Sequence, residues 1–162
     1  MKNRTAKRVK DSFVEMTELV LPNDTNRLGN LLGGRLMHWI DIAGAIAATR
    51  HARSICVTAS VDELQFHHPI HQGEVVILKA FVTRAFHTSM EVEVEVVKEN
   101  LMNGERETTN SAFLTYVSLD SDGKPTTVPL LKPITKEEKR RYNEAERRRQ
   151  NRLQRRDLLK GS

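Results

Sequence analysis

The sequence predicts an α+β domain: one long central helix wrapped by a curled antiparallel sheet of about five strands, with a basic C-terminal helix appended. Three observations carry this expectation. Residues 34–49 are apolar or small on nearly every side, the pattern of a helix buried inside a protein rather than lying on its surface. Between residues 56 and 119 the chain becomes β-branched and alternating, with turn signals between the runs. Two of these runs exceed the usual strand length of about five or six residues. Long strands in a small sheet have to curl, and wrapping them around the helix buries both.

Taken in order, residues 13–21 read as a first strand, ended by Pro22, Asn23 and Asp24. A loop containing Asn26, Gly29 and Asn30 leads to Gly33 and Gly34, where the helix opens. Running from about residue 34 to 53, it is roughly 30 Å long at 1.5 Å per residue. Ala43, Gly44, Ala45, Ala47 and Ala48 allow another backbone to approach closely. Gly44 costs about 1 kcal/mol relative to Ala inside a helix, a loss that close packing offsets. Strands are expected over residues 56–66, 74–86, 89–97 and 111–119, with Pro69, Gly73 and the pair Asn103-Gly104 marking turns. In the third of these, Val92, Val94 and Val96 alternate with Glu91, Glu93 and Glu95. This reads as one buried face and one solvated acidic face. A single such layer covers only one side of the helix and sheet, so dimerisation at least is expected.

Pro125, Pro129 and Pro133 mark an extended linker. Thr135 and Glu138 have capping-box spacing and open a charged helix towards Lys160. Its apolar residues (Tyr142, Ala145, Leu153, Leu158) are too sparse to bury a full face. The expected organisation is a single domain over 1–133, with a basic arm at 1–10, and a basic helix or tail over 134–162.

The net charge of +5 is unevenly placed. Residues 1–10 hold five Lys/Arg and no acid, 136–160 hold eleven Lys/Arg against five Asp/Glu, and the middle holds ten against sixteen. The basic character therefore describes the ends, which weakens a nucleic-acid role for the folded core. The single Cys56 excludes an internal disulfide and suits a reducing cytoplasm, the expected location. No apolar run is long enough to span a bilayer, and no apolar stretch follows the basic N-terminus to make a secretory signal; no membrane partner is expected.

Asp41 is the only Asp, Glu, Lys or Arg between Arg35 and Arg50. A carboxylate in such surroundings costs several kcal/mol unless paired or hydrogen-bonded. Either it pairs with a neighbouring segment across an interface, or it is a reactive group. At the helix start, the free N–H groups at Gly33 and Gly34 and the positive end of the dipole favour negative charge on an oxygen. Asn26 is, by itself, an ordinary Asx-turn residue. His67, His68 and His71 lack the Cys or carboxylate partners of a metal site, and no Gly-x-Ser-x-Gly elbow supports a serine triad.

The spacing of Pro22-Asn23-Asp24-Thr25-Asn26, Gly29, Gly33-Gly34 and Asp41 resembles the start of the hot-dog-fold acyl-CoA thioesterases. The resemblance is to the branch that includes brain acyl-CoA hydrolase and its bacterial single-domain relatives. It continues through Ala48-Thr49-Arg50-His51, Val57-Thr58-Ala59-Ser60-Val61-Asp62, Phe66-His67-His68-Pro69-Ile70, Gly73, Thr88-Ser89-Met90 and Gly123-Lys124-Pro125, covering about residues 12–133. It implies a hot-dog fold and hydrolysis of acyl-CoA to free fatty acid and coenzyme A, with neither metal nor bound cofactor. It further implies a site shared by two subunits: Asp41 activates a water, Asn26 of the partner subunit holds the water or the thioester carbonyl, and the N–H at Gly34 polarises that carbonyl. The homodimer is then the smallest active unit, and a trimer of dimers the implied hexamer. Coenzyme A carries a 3′-phosphate and a pyrophosphate, so Arg84, Arg140, Arg141 and Arg147 are candidate contacts, together with Gly33, Thr88 and Ser89. His38 and Trp39 put bulk near the helix where relatives vary, which bears on acyl-chain length. Arg27-Leu28 precedes Gly29 where small residues are common in relatives, which bears on the loop's approach. Two other readings compete: a non-catalytic acyl-CoA-binding module, and nucleic-acid binding through the C-terminal arginines.

Overall fold

The computed structural model describes residues 4–62 and 64–161. A short strand β1 (Ala6–Lys7) precedes β2 (Val14–Leu19), the long helix α1 (Gly33–Ala52), and the strands β3 (Ile55–Val61), β4 (Val75–Ala85), β5 (Ser89–Glu99) and β6 (Arg106–Leu119). A short β7 (Leu130–Leu131) and the helix α2 (Lys136–Lys160) complete the chain. The five-stranded sheet has the order β2-β4-β5-β6-β3, every neighbouring pair antiparallel. The segments flanking α1 in sequence are therefore the two sheet edges, and the helix crosses the concave face between them. Register shifts at Val82/Arg84 in β4, Val96/Val97 in β5 and Thr58/Ser60 in β3 add local twist where the sheet curls. The strand expected over 56–66 ends at Val61; beyond it Pro69 has no N–H to give a ladder, and residues 66–70 line a cleft instead.

Alternation divides each central strand. Val76, Leu78, Ala80 and Val82 of β4 and Met90, Val92, Val94 and Val96 of β5 face α1, whose Leu36, Ile40, Ala43 and Ala47 meet them in one buried cluster. The helix is not buried all round within one chain, however. Ile42 and Ile46 remain 38% and 37% exposed, beside the exposed Ile55, Val57 and Val61 of the edge strand β3.

The acidic face of β5 departs from the expectation of a solvated surface. Glu91 is 0% and Glu93 6% exposed, because α2 lies across this outer face and covers it with arginines. Arg148 reaches Glu91 with two nitrogens at 2.9 and 2.8 Å, and Arg141 reaches Glu93 at 3.2 Å and Glu95 at 2.7 Å. Arg152 reaches Asp62 at 3.0 Å. The guanidinium groups also stack on rings: Arg148 over Phe113 at 3.7 Å, Arg141 over Phe81 at 4.8 Å, and Arg84 over Tyr142 at 4.0 Å. A helix with few apolar residues can thus still cover a sheet, because arginine stems and planes supply the contact area that leucines would otherwise provide. Its N-terminus carries the expected capping box between Thr135 and Glu138.

The N-terminal segment is fastened to the C-terminal end of α1 and to the stretch that precedes β7. Lys7 Nζ donates to the His51 carbonyl at 2.7 Å, and Arg4 Nε to that of Val128 at 2.8 Å. His51, 0% exposed, faces the Pro129 carbonyl with Nε2 at 2.9 Å. A carbonyl only accepts, so this nitrogen carries the ring hydrogen. The other, Nδ1, has no hydrogen-bond partner among the described residues. Burial, the largest influence, pulls the imidazole below its ordinary pKa, against the stabilising bond to Pro129.

Candidate active site

Asp41 stands midway along α1, facing β3 and β6. Thr58, on β3, donates from Oγ1 to Asp41 Oδ1 at 2.7 Å. Tyr116, on β6, directs its hydroxyl to the Asp41 carbonyl at 2.9 Å and to Oδ1 at 3.2 Å. These residues are brought together by register: Thr58 pairs with Tyr116, and Tyr116 with Met90. The Tyr116 hydroxyl is held protonated, its pKa pushed well above the ordinary phenol range first by burial and then by the nearby Asp41 charge, so it serves as a donor. One carboxylate oxygen is thereby anchored, while Oδ2 accepts no hydrogen bond among the described residues. The charge in the helix is satisfied by two hydroxyls, not by a cation. Neither hydroxyl stood out in the sequence. Thr and Tyr are ordinary strand residues, and only pairing across the sheet aims them at the helix.

Gly44 now has a physical reason. A Cβ at this position would stand 2.3 Å from the Tyr116 hydroxyl and 3.0 Å from Cζ. The close neighbour is a side chain of the sheet rather than another helix backbone.

The second group of residues lies at the start of α1, about two helical turns from Asp41. Asn26, Asn30, Gly33, Leu36, Phe66, Pro69 and Ile70 line a cleft of about 270 Å³. The helix has Leu32 as its N-cap with no side-chain cap, and the N–H groups of Gly33 and Gly34 have no acceptor among the described residues; that end of the dipole is open to an oxygen of a ligand. A Cβ on Gly33 would stand 3.3 Å from Phe66 Cε2, whereas Gly34 faces open space. Asn26 makes the Asx-turn its position suggests, Oδ1 accepting from the N–H of Leu28 at 2.9 Å and of Asn30 at 3.2 Å. Its amide nitrogen makes no hydrogen bond among the described residues. Within one chain Asn26 and Asp41 share no hydrogen bond.

The basic candidates lie elsewhere. Arg84 is bound to Glu146 at 3.1 Å and to the Tyr142 carbonyl at 3.1 Å. Arg140 pairs with Glu137 and Glu144 of its own helix, and Arg141 binds the acidic row of β5. Arg147 is exposed on α2. All four are on or against α2, across the sheet from Asp41. Thr88 and Ser89 form the β4–β5 turn, with Ser89 paired to Val117, one step along from Tyr116. His71 bonds to Asn30 at 2.7 Å, and no group of three potential metal ligands occurs among the described residues.

The thioesterase superfamily model matches residues 28–105. The chain is 48% identical over 136 residues, 84% of its own length and 79% of the other, to a Bacillus subtilis (strain 168) protein named uncharacterized acyl-CoA thioester hydrolase YkhA. It is 42% identical to mouse acyl-coenzyme A thioesterase 11 and 40% identical to the rat cytosolic acyl coenzyme A thioester hydrolase. It spans 25% and 34% of those longer proteins, with 91% and 80% of this chain covered. Among solved structures, an apo-hexameric acyl-CoA thioesterase superposes with a TM-score of 0.90 at 44% identity, covering 93% of this chain and 97% of that one. The Staphylococcus aureus acyl-CoA hydrolase in complex with butyryl coenzyme A and coenzyme A gives 0.90 at 36% identity, with 96% and 95% covered. Solved variants of that enzyme replace one aspartate, one asparagine and one threonine by alanine, at positions separated by the same intervals as Asn26, Asp41 and Thr58.

Proposed function

Because this chain belongs to the thioesterase superfamily and has its hot-dog fold, we propose that it is an acyl-CoA thioester hydrolase whose general base is Asp41. The observation that carries the proposal is the posture of that carboxylate: Oδ1 is held by Thr58 and Tyr116, and Oδ2 accepts no hydrogen bond among the described residues. A base needs one free oxygen within hydrogen-bond reach of a water and a fixed orientation in which to use it. Asp41 takes a proton from water as the oxygen attacks the thioester carbonyl. The carbonyl oxygen gains charge facing the N–H groups at Gly34 and Gly33. Collapse breaks the C–S bond, and the thiolate takes up the proton, leaving a free acid and coenzyme A. Neither metal nor bound cofactor is required by this sequence of steps.

Asn26 completes the site from a second copy. Its spare amide nitrogen is a donor suited to hold the water or the carbonyl, and within one chain it does not contact Asp41. The uncovered β3 edge and the exposed Ile42, Ile46 and Val57 beside it are the surface on which a second subunit brings Asn26 of the partner subunit to Asp41. A trimer of such dimers agrees with the hexameric neighbours. In this reading Thr88, Ser89 and the exposed Arg147 are the candidates for coenzyme A, while Arg84, Arg140 and Arg141 already serve α2. A cytoplasmic location agrees with the cytosolic rat relative.

Thiol release from acyl-CoAs of graded chain length, by the wild type and by Asp41→Asn, tests this directly. The expected outcome is turnover by the wild type and a loss of at least about a hundredfold in the variant. Binding of acyl-CoA without turnover by either would favour the non-catalytic module.

A further inference from the structure

We propose that Tyr116 is a positioning residue for the Asp41 carboxylate, and that the missing side chain at Gly44 is what admits it. The inference rests on the hydrolytic reading above and assigns a further residue to that chemistry. Tyr116 is 0% exposed, and a buried phenol has to find a partner for its hydroxyl. It finds two acceptors on Asp41, the carbonyl at 2.9 Å and Oδ1 at 3.2 Å, with the Thr58 hydroxyl beside it. The approach is possible only because position 44, one helical turn from Asp41 on the face towards β6, lacks a Cβ: that atom would sit 2.3 Å from the hydroxyl and 3.1 Å from Cε2. A helix-weakening residue is thus tolerated in the middle of the central helix at the point where the tyrosine enters.

Thr58 alone leaves the carboxylate a pivot about a single bond. Tyr116 adds a second donor from a different strand, its single hydrogen shared between the Asp41 carbonyl at 2.9 Å and the same Oδ1 at 3.2 Å. Two donors on Oδ1 fix the plane of the carboxyl and with it the direction in which Oδ2 points. A base displaced by about 1 Å loses up to a hundredfold in rate. With Thr58 still in place, we expect a smaller loss.

The test measures kcat and KM separately for acyl-CoA hydrolysis by Tyr116→Phe, Gly44→Ala, the double variant and Asp41→Asn, with thermal unfolding of each. Tyr116→Phe keeps the ring and removes the hydroxyl; kcat is expected to fall about tenfold with KM within about twofold of wild type. Gly44→Ala displaces the hydroxyl and is expected to reproduce that fall. The double variant is expected to be no worse in kcat than Gly44→Ala alone, since both changes remove one interaction. Wild-type kcat in Tyr116→Phe overturns the inference, as does a loss confined to KM or to melting temperature. Should Tyr116→Phe not fold, wild-type kcat in folded Gly44→Ala overturns it equally. The Asp41→Asn control separates the failures: turnover surviving in that variant defeats the hydrolytic reading itself, whereas turnover abolished there but intact in Tyr116→Phe defeats only the role of the tyrosine.

Discussion

A single charged residue in an apolar helix was the most readable feature of the chain, and its neighbours were the least. Asp41 stands out because burying an unpaired carboxylate is costly. Thr58 and Tyr116 satisfy it from strands whose pairing is long-range, so nothing in their local sequence marks them. His51 shows the same asymmetry. It was visible only as part of a shared motif, yet it is fully buried and ties the C-terminal end of α1 to Pro129. Its lowered pKa has a consequence for stability. The folded state disfavours the imidazolium, so stability is complete above the unfolded pKa of about 6.5 and is lost as pH falls through the folded value. Wild-type protein is therefore expected to lose melting temperature progressively below about pH 6.5. In His51→Gln, which keeps a donor for Pro129 but does not titrate, that component should be absent. Parallel pH profiles of the two proteins would contradict this assignment.

At the scale of elements, the apolar pattern located α1, β4 and β5 to within about two residues, because one face of each packs in a single core. By contrast, β3 ends at Val61 instead of residue 66, and β6 begins at Arg106 instead of residue 111. The same reasoning failed for the outer face of β5. Alternating valine and glutamate reads as a solvated face when the covering element is assumed to be apolar. Here the cover is α2, and it docks through arginines that both pair with carboxylates and stack on Phe81 and Phe113. Glu91 is the centre of this layer: 0% exposed, it accepts from Arg148 and from Thr83 Oγ1 at 2.6 Å. Removing one partner of a buried pair leaves the other uncompensated. Glu91→Ala is expected to destabilise the fold by roughly 3 kcal/mol and to raise amide exchange across α2 well above that across α1. The double variant Glu91→Ala with Arg148→Ala should recover part of the loss. Additive losses would show that the two groups do not act as a pair.

For the whole molecule, the proposed hydrolytic site divides over the single chain as two half-sites. The Gly33–Gly34 end of α1 with its cleft and Asn26 is one; the anchored Asp41 beside an uncovered strand edge is the other. A shortage of cover around α1 was legible in its all-round apolar composition, and the exposed Ile42 and Ile46 bear it out. Which residues a second copy would contribute is proposed only through family resemblance, since spacing along one chain does not encode contacts between two. The most direct measurement is subunit mixing. Asn26→Ala and Asp41→Asn proteins, each expected to be nearly inactive, are unfolded, combined in equal amounts and refolded, with mixed assembly verified by mass. If the site joins Asp41 to Asn26 of the partner subunit, about half of the dimers are mixed and each keeps one intact site, so activity is expected to return to about one quarter of wild type. Activity no higher than that of the parents, despite verified mixed dimers, would contradict the shared site.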